Sequence, residues 1–251
     1  MLKYPVLLFL PATLCFWLAA HVGVAIRKKW PLKDDEREDF GIVQAATLTL
    51  LALIIGFSFS MATSRYDLRK NYEEAEANAI GTEWVRAGLL PSADVAKVRG
   101  QLRRYLDLRI RFYRTRGDQE LQQINNETGN LQNEMWSGVQ APALSQPTPV
   151  MALVVSGMND VLNSQGYTQA AWWNRIPTSA WGLLFATAIC CNMLVGYGAR
   201  NEGLSAKLLL VMPLLIAISF LLIADIDAPR GELIHISPRN LVSLSQSLPR
   251  Q

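Results

Sequence analysis

Four runs of the 251-residue chain contain no Asp, Glu, Lys or Arg: residues 5–26, 41–64, 178–199 and 208–224. Each run is about 17–24 residues long, and a helix needs about 20 apolar residues to cross a hydrocarbon core of about 30 Å. Charged residues are only 18% of the chain although hydrophobic residues are 50%, and the ionic ones crowd into 65–120. A soluble domain carries about 25% charge, spread more evenly. The pattern excludes a disordered chain, a collagenous chain, a disulfide scaffold and an ordinary soluble domain. The partner it predicts is a lipid bilayer. A net charge of +3 gives no reason to expect nucleic acid.

The first run, Pro5 to Ile26, exceeds the roughly 7–15 residues of a signal-peptide core, and its basic cluster Arg27, Lys28, Lys29 follows the run. It is expected to be a retained transmembrane helix, bent at Pro11. The second run, from Gly41 to Ser64, meets no proline until Pro91. One helix over 41–90 is therefore expected, roughly 75 Å long at 1.5 Å per residue. Pro91-Ser92 ends it and starts the next, with Ser92 or Asp94 as N-cap. Val95, Val98, Leu102, Tyr105 and Phe112 then follow helical spacing to a stop near Gly117. Helices are also expected over 118–137 and 150–164. The three prolines of 138–149 predict a loop between them. Trp172, Trp173 and Trp181 are placed as interfacial anchors at the entrance to the third span. The fourth span carries Pro213 and ends at Asp225.

The expected organisation is a first transmembrane pair over 1–64, an extramembrane helical domain over 65–177, a second pair over 178–224 and a tail over 225–251. The fold class is all-α: an integral membrane bundle of four transmembrane helices with a helical insertion between the second and third. Orientation does not follow from charge. The links 27–40 and 200–207 carry Arg27, Lys28, Lys29, Lys33, Arg37, Arg200 and Lys207, and the opposite side carries Lys3, Arg65, Arg69, Lys70, Arg175, Arg230 and Arg239, which leaves the positive-inside rule evenly balanced.

The second span carries the most information. Gln44, Thr47, Leu51, Ile55, Ser58, Ala62, Arg65 and Arg69 share one stripe at helical spacing. It is polar at one end, apolar in the middle and basic at the other, which suits a conduction path with a hydrophobic constriction and a mouth attracting anions. The alternative is that Leu51 and Ile55 pack while Arg65 and Arg69 snorkel at the headgroups. A neighbouring stripe, Ala52, Gly56, Ser60 and Ser64, permits close helix approach and implies a tight bundle or an oligomer.

Other chemistry finds little support. Glu73 and Glu76 stand at i, i+3, but no Glu-x-x-His partner exists for a di-metal site. Glu73, Glu74, Glu76 and Glu83 are instead expected to pack against a helix bearing Arg99, Arg103, Arg104, Arg109, Arg111, Arg114 and Arg116. Asp225, Asp227, Glu232 and His235 could ligate a cation or form an interfacial turn, and their spacing is not that of a calcium loop. His21, alone in the first span, is read as a helix–helix hydrogen-bond partner. Cys15, Cys190 and Cys191 fall inside apolar runs without metal-finger spacing. No Gly-x-Ser-x-Gly elbow, phosphate loop or His-Glu-x-x-His is present. Neither an enzyme, a cofactor nor a metal is expected.

Three stretches, 56–91 (GFSFSMATSRYDLRKNYEEAEANAIGTEWVRAGLLP), 174–200 (NRIPTSAWGLLFATAICCNMLVGYGAR) and 225–244 (DIDAPRGELIHISPRNLVSL), together resemble a family of bacterial membrane proteins described as bestrophin-like. The resemblance implies a multipass protein of the bacterial inner membrane with a helical insertion after the second span. The likeness to true bestrophins, which are pentameric anion channels, runs through Phe57, Phe59, Tyr66, Asp67 and Arg69. The acidic run of the bestrophin calcium clasp has no counterpart in this chain. The resulting expectation is a homo-oligomeric channel for small ions, anions by analogy. The competing one is a non-conducting membrane-anchored scaffold that recruits a partner through the 65–177 helices.

Overall fold

The computed structural model describes the backbone of residues 5–199 and 206–249 and the side chains of 9–199 and 209–249. Lys3, Arg200 and most of the 200–207 link, which entered the charge balance, lie outside the described residues. Within them the chain forms α1 (Pro5–Lys29), α2 (Arg37–Arg86), a short 3-10 turn (Ala87–Leu89), α3 (Ser92–Arg114), α4 (Asp118–Ser145), α5 (Pro149–Trp173), α6 (Thr178–Gly198), α7 (Ala206–Asp227) and α8 (Arg239–Ser247). Four helical stretches are long and apolar enough to cross a membrane. The fold is an all-α membrane bundle.

Local sequence explains most helix boundaries. Thr148 caps α5, its hydroxyl accepting from the Met151 amide at 3.2 Å, and Pro149 occupies the first turn, where its missing N–H costs nothing. Three boundaries differ from expectation. Pro91, rather than Ser92 or Asp94, is the residue before α3, and no side chain caps that helix. The predicted 138–149 loop shrinks to Gln146–Thr148, because α4 runs through Pro142. A proline in a last turn removes a single ladder bond, and its carbonyl still accepts from the Gln146 amide. Finally, α5 extends nine residues past the expected 164, to Trp173.

The chain divides into two compact units, one of residues 1–66 and 175–235, the other of 67–174 and 236–251. The tail, expected as one segment, is thus shared between them. In the first unit, Phe16 is fully buried beside Leu51, Leu184, Ala188, Cys191, Ile216, Ala217 and Phe220. Its ring meets Phe185 at 5.7 Å and Phe220, edge-on, at 5.6 Å. Half-buried Trp181 packs against this cluster at 6.1 Å from Phe220. The second unit buries Val98, Leu102, Tyr105 and Leu106 of α3 with Ile124, Leu131 and Met135 of α4 and Val154, Met158 and Val161 of α5. Trp172 packs there on Phe112 and Tyr113. Of the three tryptophans only Trp173 stays exposed, at 75%.

The tightest crossing in the membrane unit joins α1 to α6. A Cβ added at Gly196 would strike the Ala20 carbonyl, and one at Gly23 would strike the Met193 carbonyl. Backbone meets backbone there, and only glycine permits it. Gly196→Leu is expected to force α1 and α6 apart and cost about 1–3 kcal/mol or more. Thermal unfolding of the detergent-purified protein should show this as a clear fall in Tm, while Gly182→Leu on the exposed side of α6 should leave Tm in place.

Candidate functional site

The membrane half of α2 buries much of one stripe within the chain and leaves the other exposed. Leu51 is 2% exposed and Ala62 is fully buried, with Ser58 also buried. Leu51 belongs to the core formed with α1, α6 and α7, and Ala62 to a second cluster with Ile176, Ile223 and Ile226. Gln44, Thr47 and Ile55 are half-buried on the same side, and the Thr47 carbonyl accepts from Cys191 Sγ at 3.4 Å. Much of this stripe lies against the chain's own α1, α6 and α7.

Ala52, Gly56, Ser60 and Ser64 are all exposed instead, and a Cβ at Gly56 would meet nothing within 4 Å. Thr49 shares their side of the helix, as do Leu53 at 53% and Phe57 at 63% exposure. The outer face of α2 is therefore a mixture of small, hydroxylated and large apolar side chains. The small residues that seal the bundle are Gly23 and Gly196. The Ala19–Gly23 pair, two small residues four apart, is the sequence signal that would have located the crossing on α1.

The two arginines expected at a pore mouth are engaged within the fold. Arg65 Nη1 lies 3.6 Å from Asp227, whose carboxylate also accepts from the Ile176 amide at 3.1–3.2 Å. Arg69 is 1% exposed and donates to the carbonyls of Ala171 and Asn174 at 3.1 and 3.0 Å. It satisfies the last turn of α5, where unpaired carbonyls and the helix dipole favour a cation. Both guanidinium groups are thus engaged by partners within the chain.

The acidic tail residues are structural too. Asp225 is fully buried and accepts from the amides of Glu232, Leu233 and Ile234 at 2.6–3.2 Å. Its carboxylate closes the turn after α7, and Gly231 lies so near that a Cβ would collide with the Asp225 backbone. His235 points outward, and no group of three potential metal ligands occurs among the described residues. His21 bonds the Trp17 carbonyl of its own helix at 3.0 Å, and no bond to a neighbouring helix is seen among the described residues.

In the second unit, three glutamates of α2 take three different roles. Glu73 accepts from the Leu241 amide at 3.0 Å and from Asn240 Nδ2 at 2.7 Å, capping α8. Arg103 holds the other end of α8 through the carbonyls of Leu248 and Pro249. This carboxylate-at-N, cation-at-C arrangement complements the helix dipole. Sequence reasoning missed α8, a short helix whose signal is the leucine pair Leu241 and Leu244 at i, i+3.

Glu76 and Arg109 form an ion pair in which both side chains are wholly inaccessible to solvent. Tyr113 and Thr168 donate their hydroxyls to the same carboxylate at 3.3 and 3.4 Å. Burial alone would lower the Arg109 pKa, but the neighbouring Glu76 carboxylate reverses this and raises it. Burial, then the Glu76 charge, push the Tyr105 and Tyr113 phenols up, so both stay protonated. Glu83, the third, is buried without a partner among the described residues. The expected packing of acidic α2 on basic α3 thus comes down to one deep pair. Arg104 and Arg111 make only long surface pairs with Glu134, Glu120 and Glu127 of α4, which are individually weak.

A Bestrophin-like domain model matches residues 7–241. Among solved structures, a bacterial bestrophin homologue from Klebsiella pneumoniae, determined by Zn-SAD phasing, aligns over 96% of this chain and 99% of its own, with 15% identity and a TM-score of 0.62. Two point variants described under the same name align at TM-scores of 0.64 and 0.65 with 12% and 14% identity, covering 94–95% of this chain and 96–98% of theirs. At such identities the likeness concerns the fold alone. No curated protein sequence is similar enough to count as a relative. Family match, four membrane-spanning helices and shared architecture agree: the chain belongs to the bestrophin-like family of membrane proteins.

Proposed function

We propose that this protein is a homo-oligomeric ion channel of the bacterial inner membrane, with its path lined by the outer face of α2. The observation that carries this reading is the composition of that face. Thr49, Ala52, Gly56 and Ser60 are exposed within a membrane span, and Ser64 is exposed at its end. Lipid is met most favourably by large apolar side chains, whereas small and hydroxylated ones suit helix contacts and water-filled paths. Leu53 and Phe57 lie on the same face and supply the narrow apolar ring such a path requires. Several copies arranged about an axis would bring their α2 faces together, since one four-span bundle leaves no room for a conduit beside its packed core.

Bestrophin-like family membership supports conduction as the activity. The scaffold reading needs an arginine face free for a partner; Arg99, Arg103 and Arg109 of that face are spent on internal contacts, while Arg104, Arg111, Arg114 and Arg116 stay exposed. Purified protein in liposomes is expected to form a multimer and to pass small ions at a rate proportional to protein. A monomer in detergent with no flux above empty vesicles would remove the reading.

A further inference from the structure

Glu83 is fully buried in α2, and neither of its carboxylate oxygens has a hydrogen-bond donor among the described residues. It lies against the backbone of α5 at Gly157, where an added Cβ would collide with Glu83 Oε2 and lie 2.6 Å from Arg86 Nη1. Arg86 touches the same glycine but directs its guanidinium to Asp160 of α5, at 3.9 Å. Arg99 of α3 reaches the adjacent turn of α2, yet its Nε donates to the Trp84 carbonyl and its guanidinium lies over the Trp84 ring. The charges acting on Glu83 are therefore Arg86 on its own helix and Asp160 on the facing one.

We propose that Glu83 is a proton-binding latch on the α2–α5 seam: neutral, it seals against Gly157, and ionised, it draws Arg86 from Asp160 and opens the seam. A carboxylate stripped of water and of donors strongly disfavours its charge. Burial, opposed by Arg86 and reinforced by Asp160, pushes its pKa up from 4.5 to about 8. An opened seam lets water reach the carboxyl and returns it to the ordinary range. Between those two values the closed seam holds one proton more than the open one, so closure is favoured at low pH and weakens as pH rises. The opening equilibrium increases about tenfold per pH unit through this window and levels off once the closed form also ionises. The inference concerns the helical unit alone and holds whether or not the protein conducts.

Amide hydrogen exchange of the full-length protein in detergent reads the seam directly. After correction for the chemical exchange rate, opening of residues 150–165 should rise roughly a hundredfold over two pH units inside the window, then flatten near pH 8. Glu83→Gln, which keeps the shape and removes the titration, should make the same segment independent of pH. Asp160→Asn, at an exposed side chain, should move the flattening point to lower pH because it relieves a like charge. An unchanged break in Asp160→Asn, pH dependence surviving in Glu83→Gln, or pH-independent exchange in the wild type would each overturn the latch.

Discussion

Phe57→Ala is expected to raise ion flux through reconstituted protein about tenfold, a barrier decrease of about 1.4 kcal/mol, with no loss of folded protein. Phe57 is 63% exposed and belongs to neither buried cluster of the membrane unit, so its removal takes little packing from the fold. In the proposed path its ring narrows the passage and repels water, and both effects raise the cost of moving an ion. Leu51→Ala should behave in the opposite way. Leu51 is buried among Leu184, Ala188 and Cys191, so truncation leaves a cavity costing about 2–5 kcal/mol. Yield and Tm should fall while flux per folded molecule is unchanged. Liposome flux normalised to multimer, measured on both variants beside the wild type, separates the two faces of α2. Flux that responds to Leu51 and ignores Phe57 would restore the stripe first expected from the sequence and discard the outer face.

The second large effect concerns the Glu76–Arg109 pair. Glu76→Gln strands a guanidinium in a region no solvent reaches, and Arg109→Met strands a carboxylate with only the Tyr113 and Thr168 hydroxyls for company. Removing one member of a buried pair typically costs about 3–5 kcal/mol, which lowers Tm by roughly 10 °C in a protein of this size. Replacing both, as Glu76→Leu with Arg109→Met, should recover much of that loss, because no uncompensated charge is left behind. Thermal unfolding of the two single variants and the double variant closes the cycle. If the double variant loses the full sum of the singles, the residues act independently and the pair is not a unit.

The second unit was the more legible half. Helix α3 alternates charged and apolar residues at helical spacing, so its apolar face stands apart from its charged one. Of Val95, Val98, Leu102, Tyr105 and Phe112, placed on one face of α3 by spacing alone, the last four are buried and Val95 is half-buried. What spacing could not supply was the fate of individual charges. Glu73, Glu76 and Glu83 look alike in a row of acidic residues, yet one caps α8, one pairs with Arg109 and one has no partner among the described residues. Those outcomes depend on which helix arrives opposite each turn, and the arrivals are separated from α2 by 33 to 168 residues.

By itself the sequence determined the membrane class, the four spans, the long second helix and the proline and glycine punctuation that ends most elements. These follow from local composition: a charge-free run of sufficient length crosses a bilayer, and helix boundaries depend on a few adjacent residues. The tertiary structure alone decided which side of α2 faces inward. In water the buried face of a helix is the apolar one, but in a bilayer the surroundings are as apolar as the core. Leu51 and Ile55 therefore cannot be distinguished by hydrophobicity from Leu53 and Phe57. Only the aromatic and small residues contributed by α1, α6 and α7 select the first pair for burial and leave the second outside. The charge-free run that ends at Arg65 marked a spanning helix, and its neighbours chose the face that is buried.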